Sequence, residues 1–437
     1  MSDEVLATPI DAIAAADLAG KGLRFETILS SDDAFEPWFQ AMTRGFHESA
    51  FNLDSLPNRV EGFADRRICG VWDDTLADAP TPVATASSWA MPLTVPGRRT
   101  VPSWAISTIT VAPTHRRRGI ARDLLEAELR TAAALNVPVA ILTASEATIY
   151  ERFGFAPAAL AADWVIDPRR AKWTGRVPAG RVQLVSRGQA RDEGGFEVFE
   201  RSILEIPGQV GVSGHLWQRL FGLPDSPDVA GIRVARYDDV DGAPQGFAIY
   251  RAASENFSTI IRVTQLFAAT DDAYAALWQY LFELDLITSV VANLRSTDEA
   301  FRWQISDSRA AREDHAGDHL WLRILDVKTT LEARHYSAPG TFVLEVSDDL
   351  GFADGSWLLS IDNAGSAKAQ KLDDTEGFAD NHRLRLSVNE LAAVYLGATT
   401  FATLIRAGRV NEKTPLAARA ADAAFRSDVT PWLSLWF

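Results

Sequence analysis

Short apolar runs and longer stretches of helical spacing alternate along the chain, the pattern of a mixed α/β protein. Phe35, Trp38, Phe39, Met42 and Phe46 recur at helical spacing behind Ser31-Asp32-Asp33, which predicts a capped amphipathic helix. Ile68 to Trp72 and Val83 to Ser88 read as strands joined by the turn-rich DDTLADAPTP. Trp104 to Ala112 is a further strand, broken at Pro113. Behind the break, Ile120, Leu124, Leu125, Leu129 and Ala132 predict a helix from Gly119 to about Leu135. Val137 to Thr143 reads as a buried strand, Ser145 as the cap of a short helix through Tyr150, and Gly154 as its stop.

The middle of the chain repeats this plan. Ile232 to Tyr237 and Gly246 to Arg251 form a hairpin around Asp241-Gly242, and Ile261 to Phe267 runs into a helix carrying Tyr274, Leu277, Leu281 and Leu284. From about Val327 the character changes: strands are predicted over Thr341 to Val346 and Trp357 to Ile361, then the capping box Ser387-Val388-Asn389-Glu390 and an Ala/Leu-rich helical region. The length of 437 residues suits about three domains at about 150 residues each. The expected division is a mobile segment over 1–22, domains over 23–175 and 176–326, and a third over 327–437.

Charge narrows the range of partners. With 58 Asp+Glu against 43 Lys+Arg the formal charge is -15, which disfavours nucleic acid and anionic membranes and favours cationic partners. The single cysteine, Cys69, rules out an intrachain disulfide framework, and the seven histidines show no metal-like spacing, so no metal site is expected. The opening MSDEVLATPIDAIAAADLAGKG lacks a basic, cleavable leader pattern, and no run of about 18 apolar residues follows. A soluble, cytoplasmic protein without a membrane span is the expectation.

Against that acidic background THRRRGIARDLL, residues 114–125, places four arginines where a strand turns into a helix. Such a junction aims unpaired amide N–H groups and the positive end of the helix dipole at one spot, which suits a pyrophosphate. Gly119 allows close approach of the backbone, and Arg117, Arg118 and Arg122 can reach the remaining charge. The same string also reads as a solvated basic face. The equivalent junction of the second repeat carries Asp271 and Asp272 in place of the cations.

Arg116-x-x-Gly119-x-Ala121, following the strand Ile109-Thr110-Val111, resembles the acetyl-CoA signature of the GNAT acyltransferase superfamily. The wider string ITVAPTHRRRGIA, with TASEATIYERFGF downstream, is similar to the Eis (enhanced intracellular survival) acetyltransferases of actinobacteria. The resemblance extends over the whole chain, with its strong motifs within residues 104–157. It implies an α/β (α+β) fold of tandem GNAT-like domains, the second without cofactor, then a sterol-carrier-protein-like domain, assembled as a homohexamer.

The resemblance also implies site residues. Ile109, Thr110 and Val111 would pair with the pantetheine arm of acetyl-CoA, Arg116, Arg117, Arg118, Gly119, Ile120, Ala121 and Arg122 would hold its pyrophosphate, and Ser145 and Glu146 would flank the thioester. Tyr150 would be the general acid and the carboxylate of Phe437 the general base. Phe46, Glu48 and Trp436 match positions that line the acceptor pocket, although Trp436 stands where family members can carry an acid. On local sequence alone Tyr150 reads as a core aromatic beside Phe153 and Phe155, and Glu48 as an exposed helix carboxylate. The closing TPWLSLWF is too apolar to be left in water, so burial of the tail with its carboxylate is expected. It either supplies the base or merely pins the last domain.

The leading expectation is acetyl transfer to a primary amine, aminoglycoside-like or a lysine side chain, by direct attack in a ternary complex; Cys69 lies outside the motif, which argues against an acyl-cysteine route. The alternatives are an apolar-ligand carrier using the third domain and an inert assembly protein retaining the fold.

Overall fold

The computed structural model describes residues 2–48, 53–144, 146–222, 231–255, 258–378 and 380–437. Within the first segment, for which mobility is the expectation, two helices form. Ser2–Ala7 (α1) and Ala12–Ala19 (α2) are helices, as suits a run of alanines. Asp11 caps α2 by accepting from Ala14 N at 2.8 Å, and it also takes a two-pronged bond from Arg130 at 2.8 and 3.0 Å. Ala14 and Leu18 are buried with Ile120 and Leu124, so the segment is a part of the first domain.

That domain continues through β1 (Arg24–Ile28), α3 (Phe35–Gly45), α4 (Leu56–Gly62), β2 (Arg67–Trp72), β3 (Ala84–Val95) and β4 (Arg99–Val111). It then runs through α5 (Ile120–Ala134), β5 (Val139–Thr143), α6 (Ala147–Tyr150) and β6 (Ala156–Ile166). The expected cap of α3 differs: its N-cap is Ala34, while Asp32 accepts from Leu29 N at 2.8 Å and closes the preceding turn instead. The second domain holds β7 (Arg181–Val185), α7 (Arg187–Asp192), α8 (Gly195–Leu204), α9 (Gly214–Leu220), β8 (Ile232–Asp238) and β9 (Pro244–Glu255). It ends with β10 (Ser258–Ala268), α10 (Asp271–Phe282), β11 (Ser289–Arg295) and β12 (Ala311–Ile324).

All twelve strands form one sheet in the order β1-β2-β3-β4-β5-β12-β6-β11-β10-β9-β8-β7. The last strands are exchanged. Leu320–Ile324 of β12 pair with β5 of the first domain, and Ala162–Ile166 of β6 pair with β11 of the second. Segments 23–175 and 176–326 therefore share one hydrogen-bonded ladder, and each leaves a sheet edge open without the other.

The third domain has α11 (Val327–Ala333), β13 (Gly340–Ser347), β14 (Gly355–Ile361), β15 (Ala367–Leu372), β16 (His382–Ser387), α12 (Val388–Tyr395), α13 (Phe401–Arg406), β17 (Asn411–Glu412) and α14 (Ala417–Phe425). The capping box at Ser387 and Glu390 forms. Phe342, Leu344, Leu384, Leu391 and Phe401 pack its interior. There the buried Arg334 bonds the carbonyls of Tyr395 and Phe425 and stacks on the Tyr336 and Phe425 rings. Among the described residues no helix is long and apolar enough to cross a membrane.

Candidate active site

The site begins with a failure of strand pairing. β4 and β5 run parallel only from Ser103–Val139 to Ala105–Ile141. On its other side β4 slips register against β3 between Thr85–Thr110 and Ser87–Ser107. Thr108 sits at the slip with φ +54°, a backbone region that β-branched residues avoid. Three hydroxyl contacts hold it: Thr85 donates to the Thr108 carbonyl at 2.8 Å, Thr108 donates to Ser87 Oγ at 2.9 Å, and Thr85 and Thr110 hydroxyls lie 2.7 Å apart. The bulge bends β4 away from β5, as such insertions do. Ile109, Thr110 and Val111 thus have no pairing with β5, and an extended amide-bearing ligand fits this opening as a strand would.

The arginine loop closes one end of the opening. His115 is buried beneath it, its Nδ1 2.8 Å from Thr114 Oγ1 and its Nε2 3.1 Å from Asp73. Bonds from Thr75 and then His115 hold the Asp73 carboxyl down to about 2. Arg117 takes φ +63° and Gly119 φ +82°, so two left-handed residues fold the loop into a nest ahead of Ile120. Gly119 offers no side-chain cap to the first turn of α5. Arg116, Arg117, Arg118 and Arg122 are exposed around it, and Ala121 is half-buried. Arg118 bonds the Lys21 carbonyl at 2.8 Å and Arg122 approaches Glu126 at 4.0 Å. These features fit a pyrophosphate.

At the other end lies a cleft of about 290 Å³. Phe46, Glu48, Ser107, Thr108, Ile109, Tyr150, Trp436 and Phe437 all line it, with Ile106, Leu142 and Thr143. Glu146 is the N-cap of α6, exposed beside this region; Ser145 lies outside the described residues. Tyr150 is buried against the rings of Phe155 and Trp321, so it is a packed aromatic and a cleft residue at once.

The C-terminal tail reaches the cleft without regular structure, and side chains from the first two domains catch its carbonyls. Gln209 donates to Trp432 at 2.9 Å, Gln265 to Ser434 at 2.9 Å and Arg219 to Trp436 at 2.6 Å. His319 Nε2 lies 2.9 Å from the Leu435 carbonyl, and burial holds this ring below its ordinary value, consistent with a neutral donor. Ser107 Oγ, 330 positions away in sequence, donates to the terminal oxygen of Phe437 at 3.0 Å, and the Phe437 ring meets Trp89 edge-on. Trp432, Leu433, Leu435 and Phe437 are buried, whereas Trp436 is 53% exposed. Ser107, Trp89, Gln209, Gln265, Arg219 and His319 carry no sequence signal for these roles, because each acts only through a long-range contact.

The second repeat preserves the opening and reverses its charge. β10 and β11 pair from Ile260–Ser289 to Val263–Ala292. α10 begins with Asp271 and Asp272, its first turn is capped by Thr270, and Arg176 pairs with both acids. Carboxylates that already answer the helix dipole leave no attraction for a phosphate. Among the described residues no group of three or more His, Cys, Asp or Glu side chains is placed to hold a metal.

Comparison with known proteins follows the same three parts. Residues 27–158 and 208–324 each match a model of the acetyltransferase (GNAT) domain, and residues 327–434 match the sterol carrier protein domain. The chain is 35% identical to N-acetyltransferase Eis of Mycobacterium tuberculosis over 350 residues, 77% of this chain and 81% of that protein. It is 33% identical over 418 residues to an uncharacterized N-acetyltransferase of Streptomyces avermitilis, covering 90% and 94% of the two chains. The crystal structure of Eis1 from Mycobacterium abscessus superposes with a TM-score of 0.78 at 28% identity, over 95% of this chain and 100% of that one.

Proposed function

Since the chain belongs to the Eis-like GNAT N-acetyltransferases, we propose that it acetylates a primary amine by direct attack in a ternary complex, with the Phe437 carboxylate as general base and Tyr150 as general acid. The observation that carries this reading is the meeting of Tyr150, Phe437 and Glu48 in one cleft at the end of the β4–β5 opening. Acetyl-CoA, when bound, supplies the acetyl thioester and a thiolate leaving group. Ile109, Thr110 and Val111 bind its amide-bearing arm, and the nest before α5 with Arg116, Arg117, Arg118 and Arg122 binds its phosphates. Glu48 draws the acceptor ammonium in. The Phe437 carboxylate, oriented by Ser107, takes a proton from that ammonium, and the Tyr150 hydroxyl gives one to the departing sulfur. Only an uncharged amine attacks, and a protonated thiol leaves readily, so the two transfers answer the two needs of the reaction.

The physiological class, aminoglycoside-like or lysine side chains, the homohexamer and the cytoplasmic compartment belong to this proposal as well. The carrier alternative would place an apolar ligand in the third domain, where aromatic and aliphatic side chains pack around Arg334. The test is thiol release from acetyl-CoA with a panel of primary amines beside a no-amine control. Release confined to the amine reactions supports the transferase; apolar-ligand binding without release from any amine overturns it.

A further inference from the structure

Tyr150 ends a helix too short to place it. α6 is a single turn whose N-cap, Glu146, makes no side-chain cap bond, and one helical turn is not stable by itself. The phenol is therefore fixed by what packs behind it. The chain there turns through Glu151–Phe153, closes at Gly154 with φ +83°, and enters β6 behind Phe155, whose ring meets that of Tyr150.

The third domain holds this turn. Asn389, half-buried in the first turn of α12, donates from Nδ2 to the Glu151 carbonyl at 2.8 Å and to the Phe155 carbonyl at 2.7 Å. Of the two ends of its amide only the nitrogen can face carbonyl oxygens, so the two acceptors fix the orientation of the side chain. One amide thus ties the residue after Tyr150 to the residue whose ring supports it. A second tie lies under Gly154. A Cβ there would come within 2.6 Å of Arg323 Nε, so the turn rests on that buried guanidinium, which bonds both oxygens of Asp348 in the third domain at 2.7 Å. The domain whose tail carries the Phe437 carboxylate also grips the turn that carries Tyr150.

Resting on the transferase reading above, we propose that Asn389 is a positioning residue for acetyl transfer: through the Glu151 and Phe155 carbonyls it holds the Tyr150 hydroxyl where the departing sulfur takes its proton. Asn389 does not line the cleft and acts only through the turn.

Asn389→Asp tests it. The side chain keeps its size, and an acid in the first turn of a helix is favourable, so α12 persists. An oxygen in place of Nδ2 repels both carbonyls and releases the turn. Asn389→Ala, which removes the donors without adding charge, is the second variant, and thermal unfolding checks that each folds. In both, kcat is expected to fall about tenfold or more while the KM for acetyl-CoA stays unchanged. The decisive readout is a cycle with Tyr150→Phe. Once the hydroxyl is gone there is nothing left to position, so adding Asn389→Asp is expected to change kcat by less than about twofold, whereas a merely structural role subtracts the same factor in both backgrounds. Wild-type kcat in both Asn389 variants, or a further tenfold loss on top of Tyr150→Phe, overturns the proposal. Hydrogen–deuterium exchange separates its failure from that of the transferase reading, since it needs no turnover. Exchange over residues 151–156 is expected to be faster in both variants, and unchanged exchange strikes the proposal alone. Faster exchange in a protein that releases no thiol with any amine keeps the tie and strikes the transferase reading.

Discussion

Tyr150 occupies two roles at once, and its phenol separates them. The ring packs against Phe155 and Trp321, so Tyr150→Phe retains the packed body and removes only the proton donor. The expected result is a fall in kcat of about 10²-fold or more, with the KM for acetyl-CoA and the thermal unfolding temperature unchanged. A near-wild-type kcat with several amines returns Tyr150 to a packing role. Arg117 and Arg118 differ in what each substitution disturbs. Arg118 also bonds the Lys21 carbonyl, tying the loop to the segment after α2, whereas Arg117 has no such tie and occupies a left-handed conformation. Arg117→Ala is therefore the cleaner probe of the nest: steady-state kinetics should show a higher KM for acetyl-CoA than in the wild type, by about 1–3 kcal/mol for a lost charge-assisted bond, and an unaltered KM for the amine.

At the scale of elements, the two repeats place one strand-to-helix junction under opposite charges. α5 presents uncapped amides and surrounding arginines, while α10 presents Asp271, Asp272 and a Thr270 cap. The expectation is one coenzyme A per chain, measured by calorimetric titration; two per chain would show that the acidic junction binds as well. The exchange of β6 and β12 holds the two repeats in one sheet. It also places His319 of β12 against the Leu435 carbonyl, so a strand of the second repeat positions the tail that enters the first repeat's cleft.

For the molecule as a whole, the tail is where the three domains converge. Side chains from β4, α9, β10 and β12, and Gln209 between α8 and α9, receive a segment that follows the third domain. Appending two or three glycines after Phe437 leaves every one of those side chains in place and moves only the carboxylate. Acetylation should be lost while folding and acetyl-CoA binding persist. Wild-type turnover by the extended protein would remove the terminal carboxylate from the mechanism and leave the tail as a pin.

Local chemistry was legible before any fold was known. Helical spacing predicted α5, turn residues bounded β2 and β3, Ser387 and Glu390 marked a cap, and THRRRGIA stood out as a cationic junction. Each of these depends on neighbours a few positions apart, which is the range over which spacing and capping act. Even there Asp32 misled, because its carboxylate closes a preceding turn rather than capping α3, and the bond from Arg130 to Asp11 in the alanine-rich opening joins residues too far apart for spacing to show. The apolar tail announced its own burial but not its destination. Only the tertiary structure decided that Ser107 would meet Phe437 and that β6 and β12 would trade places. Those outcomes depend on contacts between residues far apart in sequence, where no periodicity reaches and where burial and pairing between distant segments determine which groups come together.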